Sequence, residues 1–382
     1  MTITVVCDVL GEENNGTTIA AMNLIRFLKS RGHCVRVLCA DQDRRGEDGF
    51  YIVPNLDFGI LNGYVEKVGV KLARVDDEVV KEAVTGADHV HIMLPFALGI
   101  RACEIARECG ISTTAGFHMQ AENFTSHIKL NKLEPLNLAV YSFIYKHLYQ
   151  YVDAIHYPTE FIRSLFEGSI GKQTRGYVIS NGVHSYVRKR EARRPPEYEG
   201  KIIILSIGRF SREKSQDTLI RAIAYSKYKD KIQLILGGQG PKEGYYKRLG
   251  SGLPLPPVLN FFSREEIIDV LNYADIYVHP AEVELEGISC LEAIVCGKLT
   301  IVSDSRRAAT SGFVGDERCI FKNRDPRSLA KVIDYFIENP EARRECEEKH
   351  LADSIAYSQE ECMLRMESMI EEVSVGKKNN IL

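Results

Sequence analysis

The chain has 382 residues, more than one ordinary hydrophobic core accommodates, so we predict two domains. Hydrophobic residues make up 45% of the sequence and charged residues 26%, which is the balance of a soluble globular protein. A formal net charge of −3 lacks the basic footprint of nucleic-acid-binding proteins, so we expect no nucleic-acid partner.

The start of the chain and its cysteines indicate a cytoplasmic protein. Met1 leads directly into an apolar strand pattern, without the basic start and cleavage site of a signal peptide. No apolar run approaches the ~20 residues that span a bilayer. The 10 cysteines include no C-x-x-C pair, and Cys7, Cys39, Cys290 and Cys296 lie within apolar strand or helix patterns. We interpret these as buried reduced thiols rather than as disulfides or a zinc site.

The first half of the chain predicts alternating strands and helices. A buried strand at Ile3–Cys7 is followed by a loop, a helix that ends near Gly32 and a second strand, which together make a βαβ unit. Gly16 precedes this helix, where the backbone can approach a ligand, although the G-x-G-x-x-G sequence of a dinucleotide fold is absent. Strand patterns at 87–94 and 111–118 continue the alternation of a parallel α/β domain.

Two polar features of this half are candidates for chemistry. His118 is the last residue of a predicted parallel strand, the end at which open α/β sheets bind ligands; a purely structural hydrogen bond is its alternative role. Asp41-Gln42-Asp43 matches the D-x-D pattern of metal-dependent transferases, but the charged sequence RRGEDG follows it. We therefore interpret it as a solvated loop and expect no metal.

A basic and aromatic segment follows His118. Residues 120–194 contain 11 Lys or Arg against 6 Asp or Glu, in a chain whose total charge is negative. Basic charge beside an aromatic helix suits an anionic membrane surface, so we predict peripheral membrane contact through this segment. The alternative is that the helix LAVYSFIYKHLYQYV belongs to the core, with tyrosine hydroxyls at its rim.

A run of arginines and prolines predicts a linker at residues 186–200. It separates an N-terminal domain, 1–185, from a second α/β domain, 201–354. An amphipathic helix is predicted at 355–378, and we expect it to complete the N-terminal domain.

The second domain carries cations and glycines at predicted strand ends. Arg209 and Lys214 lie between a buried strand and a helix, an arrangement that can neutralise a diphosphate; surface charge is the alternative. The next strand leads into a glycine-rich turn around Gly238. Ser263 and Glu266 form the S-x-x-E pattern of a capping box at the start of a short helix.

The stretch from His279 to Lys298 places two carboxylates on either side of a glycine that opens a helix. Apolar residues recur at helical spacing after Gly287, so Glu292 lies within the helix and Glu284 just before it. The first amides of this helix are unpaired and point outward at the positive end of its dipole, which predicts an anion site, most naturally for phosphate. The carboxylates can accept hydrogen bonds from sugar and ribose hydroxyls. A buried helix with one solvated glutamate and one cap is the structural alternative.

Together these segments resemble the family 4 glycosyltransferases of the GT-B fold. GRFSREKSQDTLIRAI is similar to their arginine–lysine segment, GGQGP to their Gly-x-Gly turn and ELEGISCLEA to their motif of two glutamates separated by seven residues. The resemblance runs from Gly208 to about Asp304 and covers most of the C-terminal domain, with the motifs in the right order. It implies two Rossmann-like α/β domains facing across a cleft, a nucleotide-sugar donor as substrate, and no cofactor or metal.

The resemblance also implies roles for individual residues. The donor-binding residues are Gly16, Arg209, Lys214, Gly238, Gly287, Ile288, Ser289 and Glu292. The catalytic residues are His118, Arg209, Lys214 and Glu284. Arg209 and Lys214 are implied to contact the diphosphate, Glu292 the ribose hydroxyls and Glu284 the transferred sugar, with His118 near that sugar.

The chain departs from the family pattern at Leu285-Glu286, which replace the usual Gly-Phe or Pro-Phe pair. Glu286 is therefore a second candidate for the sugar contact, and spacing favours Glu284.

Within the family, GFHMQAENFTSHI and SDSRRAATSGF are most similar to bacterial enzymes that place a hexose on a membrane lipid. This resemblance implies retaining transfer of galactose or glucose from a UDP-sugar to ceramide or diacylglycerol, giving an α-linked glycolipid. The expected location is peripheral, on the inner face of the cell membrane. The alternative is a hexosyl- or mannosyltransferase acting on a saccharide acceptor in capsule or lipopolysaccharide assembly.

Overall fold

The computed structural model describes most of the chain, at residues 1–8, 10, 16–57, 72–122 and 133–379. The described residues form two compact units. The first is Met1–Asn181 together with the segment from Cys362, and the second is Gly182–Glu361. Parts of the predicted loop before Gly16 and of the basic segment 120–194 lie outside the described residues.

The first unit is built on a parallel sheet. Its strands in chain order are β1 (Thr2–Val6), β2 (Cys34–Cys39), β3 (Phe50–Ile52), β4 (His89–Ile92), β5 (Ser112–Gly116), β6 (Ala154–Tyr157) and β7 (Gly176–Val178). Their order across the sheet is β3-β2-β1-β4-β5-β6-β7, and all the described pairs are parallel. The chain therefore winds outward from β1 in one direction and then from β4 in the other, as in doubly wound α/β proteins.

Helices connect these strands. They are α1 (Gly16–Ser30), α2 (Asp77–Val84), α3 (Ala97–Glu108), α4 (Glu134–Ile144) and α5 (Glu160–Ile170), and α4 continues as a π-helical stretch, Tyr145–Tyr149. Asp76 caps α2, because its side chain accepts hydrogen bonds from the N–H groups of Glu78 and Val79. Gly171 ends α5 in the left-handed conformation that favours glycine.

The second unit is built on another parallel sheet. Its strands are β8 (Ile202–Ile207), β9 (Ile232–Gly237), β10 (Val258–Asn260), β11 (Ile276–His279), β12 (Leu299–Ser303) and β13 (Ile320–Phe321). Their order is β10-β9-β8-β11-β12-β13, so the winding direction reverses between β8 and β11. The two sheets establish two Rossmann-like α/β halves, as predicted.

The helices of the second unit are α6 (Gln216–Tyr225), α7 (Glu243–Gly250), α8 (Arg264–Tyr273), α9 (Ile288–Val295), α10 (Ser311–Val314), α11 (Pro326–Glu338) and α12 (Pro340–Asp353). The predicted capping box is confirmed: the Ser263 side chain accepts from the Glu266 N–H, and the Glu266 side chain accepts from the Ser263 N–H. Residues predicted as a linker are tied to this unit, since Arg190 pairs with Asp269 at 2.7 Å and Arg194 with Asp275 at 3.0 Å.

A final helix, α13 (Gln359–Asn379), returns to the first unit. Its apolar side chains, among them Met366 and Ile370, belong to the same buried cluster as Leu24 of α1. Glu367 accepts hydrogen bonds from Arg31 Nε at 3.1 Å and lies 2.8 Å from His33 Nε2. Among the described residues, no helix is both long and apolar enough to cross a membrane.

Asp8 is a buried carboxyl at the end of β1. Its Oδ1 accepts a hydrogen bond from the Ala73 N–H at 3.2 Å, and the residue is 2% exposed. Burial raises the pKa of Asp8 to about 6, because hydrogen bonds from backbone amides do not replace the lost hydration of the charge. The ionised form is therefore costly in the folded chain.

We predict that Asp8→Asn stabilises the protein at neutral pH and not in acid. Below the ordinary Asp pKa of 3.8 the carboxyl is mostly protonated in the folded and unfolded chains alike, whereas above pH 6 it is ionised in both and the folded state carries the full cost of a buried charge. The variant keeps the acceptor for Ala73, so its free energy of unfolding should exceed that of the wild type by about 1–3 kcal/mol at pH 7.

Urea unfolding at pH 4 and pH 7 measures this difference. Asp48→Asn removes an exposed carboxylate from the same unit and should show no comparable change. An equal effect of Asp8→Asn at both pH values would contradict the account of the buried charge.

Candidate active site

The carboxyl ends of β8 and β11 lie where the strand order of the second sheet reverses. The segment after β8 carries Arg209 and Lys214, and the segment after β11 carries Glu284. Ligands of open parallel sheets bind outside the carboxyl ends of the strands at such a point, so these side chains form the candidate site of the second unit.

Lys214 and His279 converge on one oxygen of Glu284. Lys214 Nζ donates a hydrogen bond to Glu284 Oε2, and His279 Nε2 lies 2.9 Å from the same oxygen. Tyr277 Oη, at 3.1 Å from His279 Nδ1, fixes the orientation of that imidazole. Oε1 of Glu284 accepts no hydrogen bond from the residues that the structure describes, so it can accept one from a ligand hydroxyl.

The charge of Glu284 follows from this environment. Burial by itself raises the pKa of the carboxyl, but Lys214 and His279 together bring it down to about 2. Glu284 is therefore ionised at neutral pH and serves only as a hydrogen-bond acceptor. Glu286, the second candidate for the sugar contact, is buried, with 4% of its surface exposed. The ion pair with Lys214 is formed by Glu284.

Gly287 opens α9 with a left-handed backbone, at a φ of 86°. A Cβ at this position would lie 2.9 Å from Thr310 Cγ2, so both the conformation and the space require glycine. Because α9 begins at Ile288, its first N–H groups have no partner within the helix. Ser289 Oγ donates to the carbonyl of Ile207 at 3.2 Å, which ties the start of α9 to the end of β8.

Arg209 is exposed, and its guanidinium makes no hydrogen bond or ion pair with any described residue. The turn behind it depends on glycine. A Cβ at Gly238 would lie 2.2 Å from the carbonyl oxygen of Gly208, and one at Gly240 would lie 2.7 Å from that of Phe210. Gly238 thus lets the turn after β9 pack against the Arg209 segment and hold it at the end of the sheet.

The partner of Glu292 is a residue that sequence reasoning missed. Glu292 is buried in α9 and pairs with Arg264 at the first position of α8. Burial raises the pKa of Glu292, while the charge of Arg264 opposes that rise. Arg264 Nε also donates to Tyr186 Oη at 3.1 Å. The local sequence signal for this contact was the capping box at Ser263, because it places Arg264 at the start of a helix.

His118 lies just beyond β5 in the first unit, with its ring folded over Gly116. A Cβ on Gly116 would lie 2.5 Å from His118 Nε2, so a side chain there would displace the imidazole. Nε2 is buried without a partner among the described residues, and the His156 ring packs edge-on at a centroid distance of 5.5 Å. Burial lowers the pKa of His118 to about 3, so the ring is neutral at physiological pH.

Gly16 and the D-x-D sequence also belong to the first unit. Gly16 is the exposed first residue of α1, and a Cβ there would meet no described atom within 4 Å. Asp41 is buried, and its Oδ2 accepts the Leu10 N–H at 2.6 Å. Asp43 lies in the short 3-10 helix Gln42–Arg44. The prediction of a solvated loop therefore holds for Asp43, which is exposed, but is wrong for Asp41, whose carboxylate is buried against the Leu10 amide.

The structure thus brings Lys214, Glu284 and the start of α9 together within the second unit. Arg209 lies five residues before Lys214 on the same segment, and Glu292 lies farther along α9 with Arg264 as its partner. The cations and the unpaired helix amides can bind a diphosphate, and the ionised carboxylate can accept a hydrogen bond from a hydroxylated group linked to it.

Two family models match adjacent parts of the chain. The one described as "Glycosyltransferase Family 4" matches residues 14–185. The one described as "Glycosyl transferases group 1" matches residues 187–351.

Curated relatives match shorter stretches. The alpha-monoglucosyldiacylglycerol synthase of Streptococcus pneumoniae is 24% identical over 224 residues, which are 55% of this chain and 50% of the relative. The GDP-mannose-dependent alpha-(1-6)-phosphatidylinositol dimannoside mannosyltransferase of Mycobacterium tuberculosis is 29% identical over 148 residues, 38% of each chain. The chain therefore spans half or less of the length of these relatives.

Solved structures match the whole fold. Sucrose-phosphate synthase from Thermosynechococcus elongatus has a TM-score of 0.75 at 16% identity, covering 98% of this chain and 99% of its own. Anabaena Alr3699/HepE in complex with UDP-glucose has a TM-score of 0.73 at 17% identity, covering 97% of this chain and 100% of its own. With two parallel α/β halves and a family model matched to each, the chain belongs to the family 4 glycosyltransferases and has the GT-B fold.

Proposed function

We propose that this glycosyltransferase moves galactose or glucose from a UDP-sugar to the hydroxyl of a membrane lipid, ceramide or diacylglycerol, with retention and without a metal. The product is an α-linked glycolipid. The observation that carries the proposal is the ionised Glu284, held by Lys214 at the start of α9. The names of the pneumococcal and mycobacterial relatives describe lipid acceptors, which supports a lipid over a soluble saccharide.

Donor binding uses the cations and amides of the second unit. Arg209 and Lys214 neutralise the diphosphate, and the N–H groups at the start of α9, from Gly287 through Ser289, donate to its oxygens. Glu292 accepts the ribose hydroxyls while Arg264 balances its buried charge. These contacts supply the positive charge that a divalent cation provides in other transferases.

The reaction needs no protein nucleophile. The bond between the anomeric carbon and the diphosphate oxygen breaks first, and the sugar passes through an oxocarbenium-like state while Arg209 and Lys214 stabilise the departing diphosphate. The acceptor hydroxyl attacks on the same face, and its proton passes to the leaving phosphate oxygen. Glu284 positions the sugar through its hydroxyls. For His118, a neutral imidazole, we propose the sugar contact that the family resemblance implies.

The surface of α4 supports contact with a lipid acceptor. Tyr141 and Ile144 are buried, as the core interpretation predicted, but Leu133, Leu138 and Phe143 are 48%, 40% and 56% exposed. The helix therefore has a packed face and an apolar face open to solvent. With the basic surplus of residues 120–194, that face suits the inner surface of the cell membrane, where we place the enzyme.

A donor and acceptor screen tests the proposed reaction. UDP-glucose, UDP-galactose and GDP-mannose are each offered with ceramide or diacylglycerol, and mass spectrometry and NMR identify the product and its anomeric configuration. We expect a hexosyl lipid with an α linkage from a UDP-sugar, in equal yield with and without EDTA. A β-linked product, or activity that EDTA abolishes, contradicts the proposed mechanism.

Vesicle binding separates the lipid function from transfer to a saccharide. We expect binding that rises with the fraction of anionic lipid and falls with salt, because charge and apolar contact act together. Phe143→Ser should weaken it, whereas Ile355→Ser, which removes an exposed apolar side chain from the second unit, should not. Equal binding by both variants would favour the saccharide acceptor.

Arg209→Ala tests the diphosphate contact. Because Arg209 is exposed and unpartnered among the described residues, its loss should leave the melting temperature unchanged. Turnover should fall by about 10²–10³-fold, as expected when a group that stabilises the departing charge is removed. Arg248→Ala, which removes an exposed arginine from α7, is the matched control. Near-normal transfer by a folded Arg209→Ala variant would exclude the assigned role.

A further inference from the structure

A cationic cavity of about 280 Å³ lies in the second unit, apart from the candidate donor residues. Its walls include Arg212 after β8, Arg221 on α6, Lys242 after β9 and Arg324 after β13. Asp217 is the one acidic residue of the lining. Lys214, Glu284 and Glu292 do not line it, so the cavity and the candidate donor site are formed by different side chains.

Three of the four cations have no carboxylate partner within ion-pair distance in the described structure. Arg212 makes no side-chain hydrogen bond with a described residue, Arg221 donates to Tyr245 Oη at 3.2 Å, and Lys242 Nζ lies 4.9 Å from the centre of the Tyr245 ring. Arg324 pairs with the buried Glu282. Like charges gathered around one cavity repel each other, and an anion inside the cavity relieves that repulsion.

Neutral donors complete the lining. Ser215 and Thr218 are buried residues of the cavity wall at the start of α6, and Tyr245 presents its hydroxyl from α7. α6 has ten residues and no side-chain cap at its first turn. Among the described non-glycine residues, Ser215 and Arg324 have a positive φ, and both line this cavity. Such strained conformations concentrate where a ligand is held.

We propose that this cavity binds a phosphate group, as a second anion site of the enzyme. Arginine forks and a lysine ammonium are the side chains that recognise phosphate oxygens, and the hydroxyl of Tyr245, which accepts from Arg221, can donate a further hydrogen bond. The volume of about 280 Å³ leaves room for a group attached to the phosphate. A soluble phosphoester and the headgroup of an anionic lipid share this chemistry.

Inorganic phosphate binding to the full-length protein tests the site. All variants carry Arg209→Ala, which removes an exposed cation of the candidate donor site and breaks no contact with a described residue, so that phosphate binding at the donor site is weakened equally in all of them. Arg221→Gln with Lys242→Gln should weaken phosphate binding at least tenfold in calorimetry. Lys247→Gln with Arg248→Gln removes the same charge outside the cavity and should leave the affinity unchanged.

Two results would overturn the proposal. One is the absence of phosphate binding in the Arg209→Ala background, and the other is an equal loss in both double variants, which would mean that net charge alone accounts for the binding. The exchanged side chains are largely on the surface. If the double variant Arg221→Gln, Lys242→Gln does not fold, phosphate binding is measured on Lys242→Gln alone.

Vesicles of phosphatidylglycerol and of phosphatidylcholine then identify the source of the phosphate. If the cavity variant loses binding to phosphatidylglycerol vesicles relative to its charge-matched control, the ligand is a lipid headgroup. If vesicle binding is equal while binding of inorganic phosphate is lost, the ligand is a soluble phosphoester.

Discussion

The ion pair between Lys214 and Glu284 joins two chain segments that are 70 positions apart. Glu284 is otherwise fixed by its backbone, whose N–H donates to the carbonyl of Arg307 and whose carbonyl accepts from the N–H of Ala309. Burying a carboxylate without a cation destabilises the folded state, so the loop after β11 depends on Lys214 and His279 to keep its conformation. The ion pair between Lys214 and Glu284 therefore keeps Glu284 ionised for a ligand hydroxyl and also holds the loop after β11 in place.

Much of the second unit could be predicted because its signals are local. The helix after Gly287 follows from apolar spacing, and the capping box at Ser263 follows from two residues three positions apart. The position of Arg209 and Lys214 follows from the rule that loops after parallel strands meet at one edge of the sheet. Each of these inferences needs only a short stretch of chain.

The contacts that sequence reasoning missed join distant positions. Arg264 meets Glu292 across 28 residues, and Arg190 meets Asp269 across 79, which made the predicted linker a bound segment of the second unit. Composition left two interpretations of α4 open, because aromatic residues occupy both of its faces. Tyr141 packs against the Phe117 ring at 6.3 Å between centroids, while Phe143 is exposed. Periodicity cannot separate two faces that carry the same residue types.

The buried cluster of the first unit has consequences for biosynthesis. It combines Leu24 of α1 with Met366 and Ile370 of α13, and the whole of Gly182–Glu361 is translated between them. At roughly 5–20 residues per second, a ribosome needs roughly 10–40 s for that intervening stretch. Throughout this interval the apolar face that α13 later covers is open to water and to other nascent chains. The first unit is thus the earlier one to be synthesised and the later one to be completed.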